Sequence, residues 1–199
     1  MSTAYKKAQI RDVIRSRRQS LEPADVKYYG EVLAEQIIGV KDKEFKNIIN
    51  SAKTIAVYSA VNGELPCDGV AEYFAKNNKA ICYPKVNGGT MDFYEITDKK
   101  AQMVKGAYGI LEPDGTTAIV KPEDIDIMIV PAIAYNDEGL RLGQGGGYYD
   151  KYLALAMGKG KVPYTIGVCY DFQIYSALPV EAHDLAVDCI MCVYTGDDE

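Results

Sequence analysis

Apolar residues recur at helical spacing over residues 3–21 and again over 23–39, the first stripe running through Ile10, Val13, Ile14 and Leu21. Leu21-Glu22-Pro23 breaks between them, so two helices are expected before any strand. Thr54 to Tyr58 is then a continuous run that reads as a buried strand. Cys67 to Asn77 returns to the helical period and ends at Asn77-Asn78, and Ala80 to Tyr83 reads as a second strand stopped by Pro84. Asn87-Gly88-Gly89 is a hairpin turn into a strand from Met91 to Ile96. The stretch from Asp98 to Glu123 is turn-rich, with one short helix expected around Lys99 to Val104. Asp126 to Pro131 is the most hydrophobic strand, Tyr148 to Ala156 a helix, Tyr164 to Cys169 a strand and Cys189 to Val193 a last strand. This alternation predicts an α/β fold of three layers, a mostly parallel sheet with helices on both faces. No internal repeat is present, and residues 1–199 are expected to form a single α/β domain with an N-terminal helical pair at about 3–39.

Composition changes this picture little. The chain has 199 residues, 48% hydrophobic and 25% charged, which excludes disorder as its main theme. Charge says more: the net value is −6, yet residues 1–18 hold Lys6, Lys7, Arg11, Arg15, Arg17 and Arg18 against Asp12 alone, so they carry +5 and the remainder −11. An acidic remainder argues against a broad nucleic-acid footprint. Five cysteines, an odd number set mostly in apolar sequence, read as reduced thiols. Cys189-Ile-Met-Cys192 has neither a second pair nor enough histidines for a zinc site, and its strand-like surroundings make it core. The start has no apolar signal region and no run is long enough to span a membrane, so a cytoplasmic protein without membrane contact is expected.

In parallel sheets ligands gather at the carboxyl ends of the strands, which directs attention to the loop after Pro131. Residues 139–147 contain five glycines, preceded by Arg141 within the cluster and followed by the helix that opens near Tyr148. Glycines bring backbone N–H groups against a ligand unobstructed, an arginine offers a forked cation to phosphate oxygens, and the helix points its positive end at the same place. Together these describe an anion cradle. Asp150 beside a phosphate would repel it unless a cation intervenes, which makes magnesium the natural bridge. The plainer alternative is a flexible connection with Asp150 as a helix N-terminal charge. Neither a Walker loop nor a dinucleotide fingerprint fits: Gly158-Lys159-Gly160 lacks the following Ser or Thr, and Tyr148 stands where the third dinucleotide glycine belongs. On the first helix, Lys7, Arg11, Arg15 and Arg18 share a stripe of roughly 80°. By spacing alone this stripe reads as a solvated basic face; functionally, a Lys and an Arg one turn apart would clamp a triphosphate.

These residues carry a family resemblance. The run Arg141-Leu-Gly-Gln-Gly-Gly-Gly-Tyr-Tyr-Asp150-Lys151 is similar to the signature of the 5-formyltetrahydrofolate cyclo-ligases, also called 5,10-methenyltetrahydrofolate synthetases. Lys7 and Arg11, Ser59 to Glu64, Tyr83-Pro84-Lys85, Glu112-Pro113, Gln173, His183-Asp184 and Val187-Asp188 extend it over nearly the whole chain. Departures are small: Gln144 stands where an aromatic or basic residue is common, and Lys151 where Arg is common.

The resemblance implies a fold related to the sugar-phosphate isomerase and CoA-transferase group. It also implies an ATP- and magnesium-dependent cyclisation of 5-formyltetrahydrofolate to 5,10-methenyltetrahydrofolate, with ADP and phosphate released. By motif match Lys7, Arg11, Arg141, Leu142, Gly143, Gln144, Gly145, Gly146, Gly147, Tyr148 and Tyr149 would bind ATP; Asp150 and Asp184 would hold magnesium; Ser59, Glu64 and the Gln144 to Tyr148 segment would bind the folate. Arg141, Tyr148 and Asp150 would be catalytic, and a monomer is expected, with a dimer as the alternative. Each has a plainer reading. Glu64 in Asn62-Gly63-Glu64 is a turn charge exposed to water, Asp184 caps a local turn, Tyr148 and Tyr149 are core aromatics, and His183, the only histidine, is structural. A sugar-phosphate or nucleotide sensor without catalysis and an RNA-binding protein docking through the basic helix are the competing functions. Carboxylates beside the glycine loop argue against the first and the acidic remainder against the second.

Overall fold

The structure, a computed structural model, describes residues 2–106, 109–179, 181 and 184–196, so His183 lies outside the described residues. Helices α1 (Thr3–Gln19), α2 (Pro23–Ile38) and α3 (Lys43–Ser51) precede β1 (Thr54–Ala56), α4 (Asp68–Lys76), β2 (Ala80–Asn87) and β3 (Thr90–Glu95). A short α5 (Lys99–Gln102), β4 (Met103–Lys105), β5 (Leu111–Pro113) and β6 (Ile119–Val120) follow. β7 (Ile127–Pro131), β8 (Ala134–Tyr135), β9 (Arg141–Leu142), α6 (Tyr148–Gly158), β10 (Tyr164–Tyr170) and β11 (Cys189–Val193) complete the chain.

Seven strands form one sheet in the order β11-β10-β7-β1-β2-β3-β6, parallel from β11 to β2 and antiparallel at β3 and β6. Alternation along β7 explains the two helical layers. Ile127 and Ile129 face the core shared with α2, α3 and α4, whereas Met128 and Val130 face the core shared with α6. Both sets are fully buried, which is why this strand reads as an unbroken apolar run. Mostly parallel order and helices on both faces agree with the expectation from sequence.

Three local expectations need correction. Pro84 does not stop β2, which continues to Asn87. Gly88-Gly89 is a two-residue turn, so Asn87 and Thr90 exchange hydrogen bonds and alternate residues toward Lys85 and Tyr83 do likewise. Pro84 falls between, its missing N–H directed to the side where β1 pairing has already ended at Cys82. A third helix, not two, precedes β1: the Asp42 carboxylate accepts from the Phe45 amide at 2.8 Å, and Phe45 and Ile49 bury one face. The turn-rich stretch holds the β4–β5 hairpin and the edge strand β6 besides its short helix.

The connection from β1 to α4 makes a tight turn at Asn62 and Gly63, both with positive φ (50° and 72°). A Cβ on Gly63 would lie 2.5 Å from the Arg18 carbonyl oxygen, so this glycine lets α1 seat on the turn that presents Glu64. Gly63→Ala is expected to destabilise the protein by about 2–4 kcal/mol through backbone strain and displacement of α1. A urea-unfolding midpoint unchanged from wild type would contradict this.

Candidate active site

The site assembles at the carboxyl end of the parallel strands, where three segments meet: the turn after β1, the loop between β9 and α6, and one face of α1. What reads as one long loop after Pro131 is a hairpin. β8 and β9 pair, with Ala134 opposite Leu142 and Tyr135 opposite Arg141, and both strands are buried. Gln173, fully buried, fixes its base by donating to the Ala132 and Ile133 carbonyls at 3.0 and 2.8 Å while accepting from the Tyr170 amide. The glycine segment from Gly143 to Gly147 emerges from this rigid base and is exposed. Gly145 and Gly147 take positive φ (114° and 64°), and Gly147 caps α6 in the left-handed region without a side-chain cap bond to the first amides of the helix among the described residues. Those amides point out of the helix start toward the loop.

The basic stripe of α1 is not a solvated face. Arg11 donates through Nε to the Gly143 carbonyl at 3.0 Å, and Arg15 donates to the Gln144 side-chain oxygen at 2.9 Å. Arg18, 3% exposed, lies 3.5 Å from a Glu64 oxygen and donates to the Ala132 carbonyl at 2.5 Å. Lys7 pairs with Glu181 at 2.9 Å and lies 3.8 Å from Asp184. Burial and the neighbouring Arg15 lower the Arg11 pKa. Successive turns of one helix thus touch the segment before β11, the glycine loop and the turn after β1.

Glu64 is buried, 7% exposed, and so is not a water-exposed turn charge. Its carboxylate accepts from the Val61 amide at 3.2 Å and from the Gln144 side-chain amide at 3.3 Å, besides facing Arg18. Desolvation raises its pKa above the ordinary 4.5, opposed by Arg18 and the two hydrogen bonds. The Tyr149 hydroxyl senses Glu64 as well: burial first, then that carboxylate, pushes its pKa well up. Ser59 has a buried hydroxyl with no hydrogen-bond partner among the described residues and lines a cavity of about 300 Å³ with Val61, Asp68, Lys99, Lys105 and Leu111.

Arg141 and Asp150 form the shortest ion pair of the site among the described residues, 2.6 Å apart with Arg141 3% exposed, and Arg141 also donates to the Leu185 carbonyl at 2.6 Å. Its guanidinium therefore ties the start of α6 to the segment carrying Asp184. Asp150 keeps part of its carboxylate accessible, and Asp184 accepts from the Glu181 amide at 2.8 Å. Two carboxylates on segments that Arg141 ties together suit a hard divalent cation that takes further oxygens from its ligand. Among the described residues no three His, Cys, Asp or Glu side chains converge as a complete metal cage. Tyr148 and Tyr149 are half-buried at the helix start, and Tyr148 packs into the α6-side core.

Every motif-derived residue within the described chain thus lies on these three segments or on the Asp184 strand approach. Arg15 and Arg18 were legible as members of the stripe but not as contacts, since periodicity gives their shared face without naming what covers it. Glu181 had no sequence signal.

Among the described residues no helix is long and apolar enough to cross a membrane. The family model described as the 5-formyltetrahydrofolate cyclo-ligase family matches residues 3–193. The 5-formyltetrahydrofolate cyclo-ligase of Escherichia coli K12 is 27% identical over 183 residues, covering 90% of this chain and 96% of that protein. The NMR structure of 5,10-methenyltetrahydrofolate synthetase from Aquifex aeolicus superimposes with a TM-score of 0.74 at 31% identity, covering 94% of this chain and 89% of the other. The corresponding synthetase from Mycoplasma pneumoniae gives 0.71 at 25% identity, covering 92% and 96%.

Proposed function

The chain belongs to the 5-formyltetrahydrofolate cyclo-ligase family, and from that premise we propose that it closes 5-formyltetrahydrofolate to 5,10-methenyltetrahydrofolate at the expense of ATP, with magnesium as cofactor. One observation supports this reading most: a single helix reaches the glycine loop through Arg11 and the buried carboxylate Glu64 through Arg18. A phosphate cradle and a recognition site for a donor-rich ring are thereby held side by side.

In this reading Glu64 accepts paired N–H donors from the pterin, and Gln144, bonded to Glu64 and Arg15, marks the seam between folate and nucleotide. Ser59 and the Gln144 to Tyr148 segment line the folate pocket. The exposed loop from Gly143 to Gly147 and the helix-start amides of Tyr148 and Tyr149, with Lys7 and Arg11, receive the triphosphate. Leu142 anchors the cradle in β9. Asp150 and Asp184 would hold the magnesium ion, which supplies charge neutralisation on the phosphate oxygens. Arg141 orients Asp150 and Tyr148 flanks the reacting groups.

The formyl oxygen is an amide oxygen and a poor leaving group. Transfer of the γ-phosphoryl group to it breaks the bond to ADP, which is released, and leaves an electrophilic carbon; N10 adds and loses its proton, the ring closes and phosphate departs with the former formyl oxygen. Such a step asks the protein for positioning and neutralisation and for no nucleophile of its own.

Purified protein mixed with ATP, magnesium and 5-formyltetrahydrofolate should develop the absorbance of a methenyl product. Absence of turnover by well-folded protein would sink the proposal. Arg11→Ala is expected to raise the KM for ATP about tenfold with a smaller change in kcat, since one charge-assisted contact is lost. An unaltered KM would remove Arg11 from the nucleotide site.

A further inference from the structure

The Cys189-Ile-Met-Cys192 spacing does not bring its own two thiols together. Three apart on β11, they leave opposite faces of the sheet: Cys189 packs against the core on the α2 and α3 side, Cys192 against the core on the α6 side. The register of the sheet supplies Cys192 with another partner. Cys169 of β10 stands directly opposite it, so both side chains leave the same face of neighbouring strands. Strand backbones lie about 4.8 Å apart, inside the roughly 4.4–6.8 Å over which two Cα atoms accept a disulfide. Both thiols are free, Cys169 fully buried and Cys192 half-buried on the edge strand of the sheet.

We propose that Cys169 and Cys192 form a hydroperoxide-sensitive dithiol that closes reversibly into a disulfide between β10 and β11. A hydrogen bond from one thiol to the other lowers the Cys192 pKa and raises that of Cys169, so Cys192 is the group that reacts first. Its thiolate sulfur attacks a peroxide oxygen; the S–O bond forms, the O–O bond breaks, and the other oxygen leaves as water after taking a proton. The Cys169 sulfur then displaces the hydroxyl from Cys192; the S–S bond forms, and the hydroxyl departs with the Cys169 proton as a second water. Two electrons pass from the thiol pair to the peroxide, and an external dithiol returns them. The remaining fully buried thiols are poor competitors: burial pushes Cys67 up to about 12 and Cys82 further still. This inference is independent of the folate reading.

The test treats the whole protein with hydrogen peroxide, alkylates the remaining thiols and maps peptides by mass. Cys169 and Cys192 are expected to be found joined with the loss of two hydrogens, and dithiothreitol should restore both to alkylation. Cys189→Ser should behave like wild type and Cys192→Ser should lose the linkage. Cys169→Ser should leave Cys192 as a sulfenic acid trapped by dimedone; if that buried substitution fails to fold, Cys192→Ser at the half-buried edge still decides. A linkage through Cys189, an oxidised Cys192 beside an alkylatable Cys169, or no change on peroxide treatment would each overturn the proposal.

Discussion

Replacing Glu64 by Gln is expected to lower kcat/KM for 5-formyltetrahydrofolate about a thousandfold, because a site that reads ring N–H donors with a carboxylate loses both its charge and one acceptor. The same change should cost the fold little, because burial already favours the uncharged form of this side chain and Arg18 keeps its bond to the Ala132 carbonyl. A loss of turnover that tracked a loss of thermal stability would mean that Glu64 acts only through folding. Because burial raises the Glu64 pKa, ionisation is completed above its ordinary 4.5, so kcat/KM should fall on acidification from a higher pH than an exposed glutamate would give. The sign for stability is opposite. A raised folded-state value means that the contribution of this group is fullest below the unfolded value and is lost as pH rises through the folded one. Wild-type thermal midpoints measured across that interval, with and without substrate, check it.

Asp150→Asn is expected to reduce kcat about a hundredfold or more without recovery at high magnesium, since the isosteric amide keeps a contact to Arg141 but cannot neutralise a bound cation. Asparagine is the sharper test than alanine. Arg141 is 3% exposed and 2.6 Å from Asp150, so alanine would leave a buried guanidinium with only the Leu185 carbonyl and confuse instability with lost chemistry. Full activity of Asp150→Asn at ordinary magnesium would remove the metal role.

The architecture was legible where one physical signal dominated. Residues Ile127–Pro131 are apolar because both faces of the strand are covered, and the Gly88-Gly89 turn announces its hairpin. Short strands were hidden: β8 and β9 have two residues each, too few to show a period, and their pairing depends on Gln173 some thirty residues later. The third helix carried its signal in Asp42, Phe45 and Ile49, a cap followed by a one-turn apolar pair. At the site, the glycine loop and its flanking Arg141 and Asp150 were visible as a motif, and family likeness supplied Glu64 and Lys7. Nothing local distinguishes a docked basic stripe from a solvated one. That Arg11, Arg15 and Arg18 seat on Gly143, Gln144 and Glu64 follows from tertiary contacts 46 to 132 residues apart in sequence.

The sheet closes on one side with β6, only Ile119 and Val120 against β3, and Lys121-Pro122 follow at once. Unpaired backbone at a sheet border invites strands from other molecules, and here the inviting row is two residues long and ends in a charge and a missing N–H. The exposed Ile119 side chain is therefore tolerable: it adds stickiness without a ladder for another strand to extend.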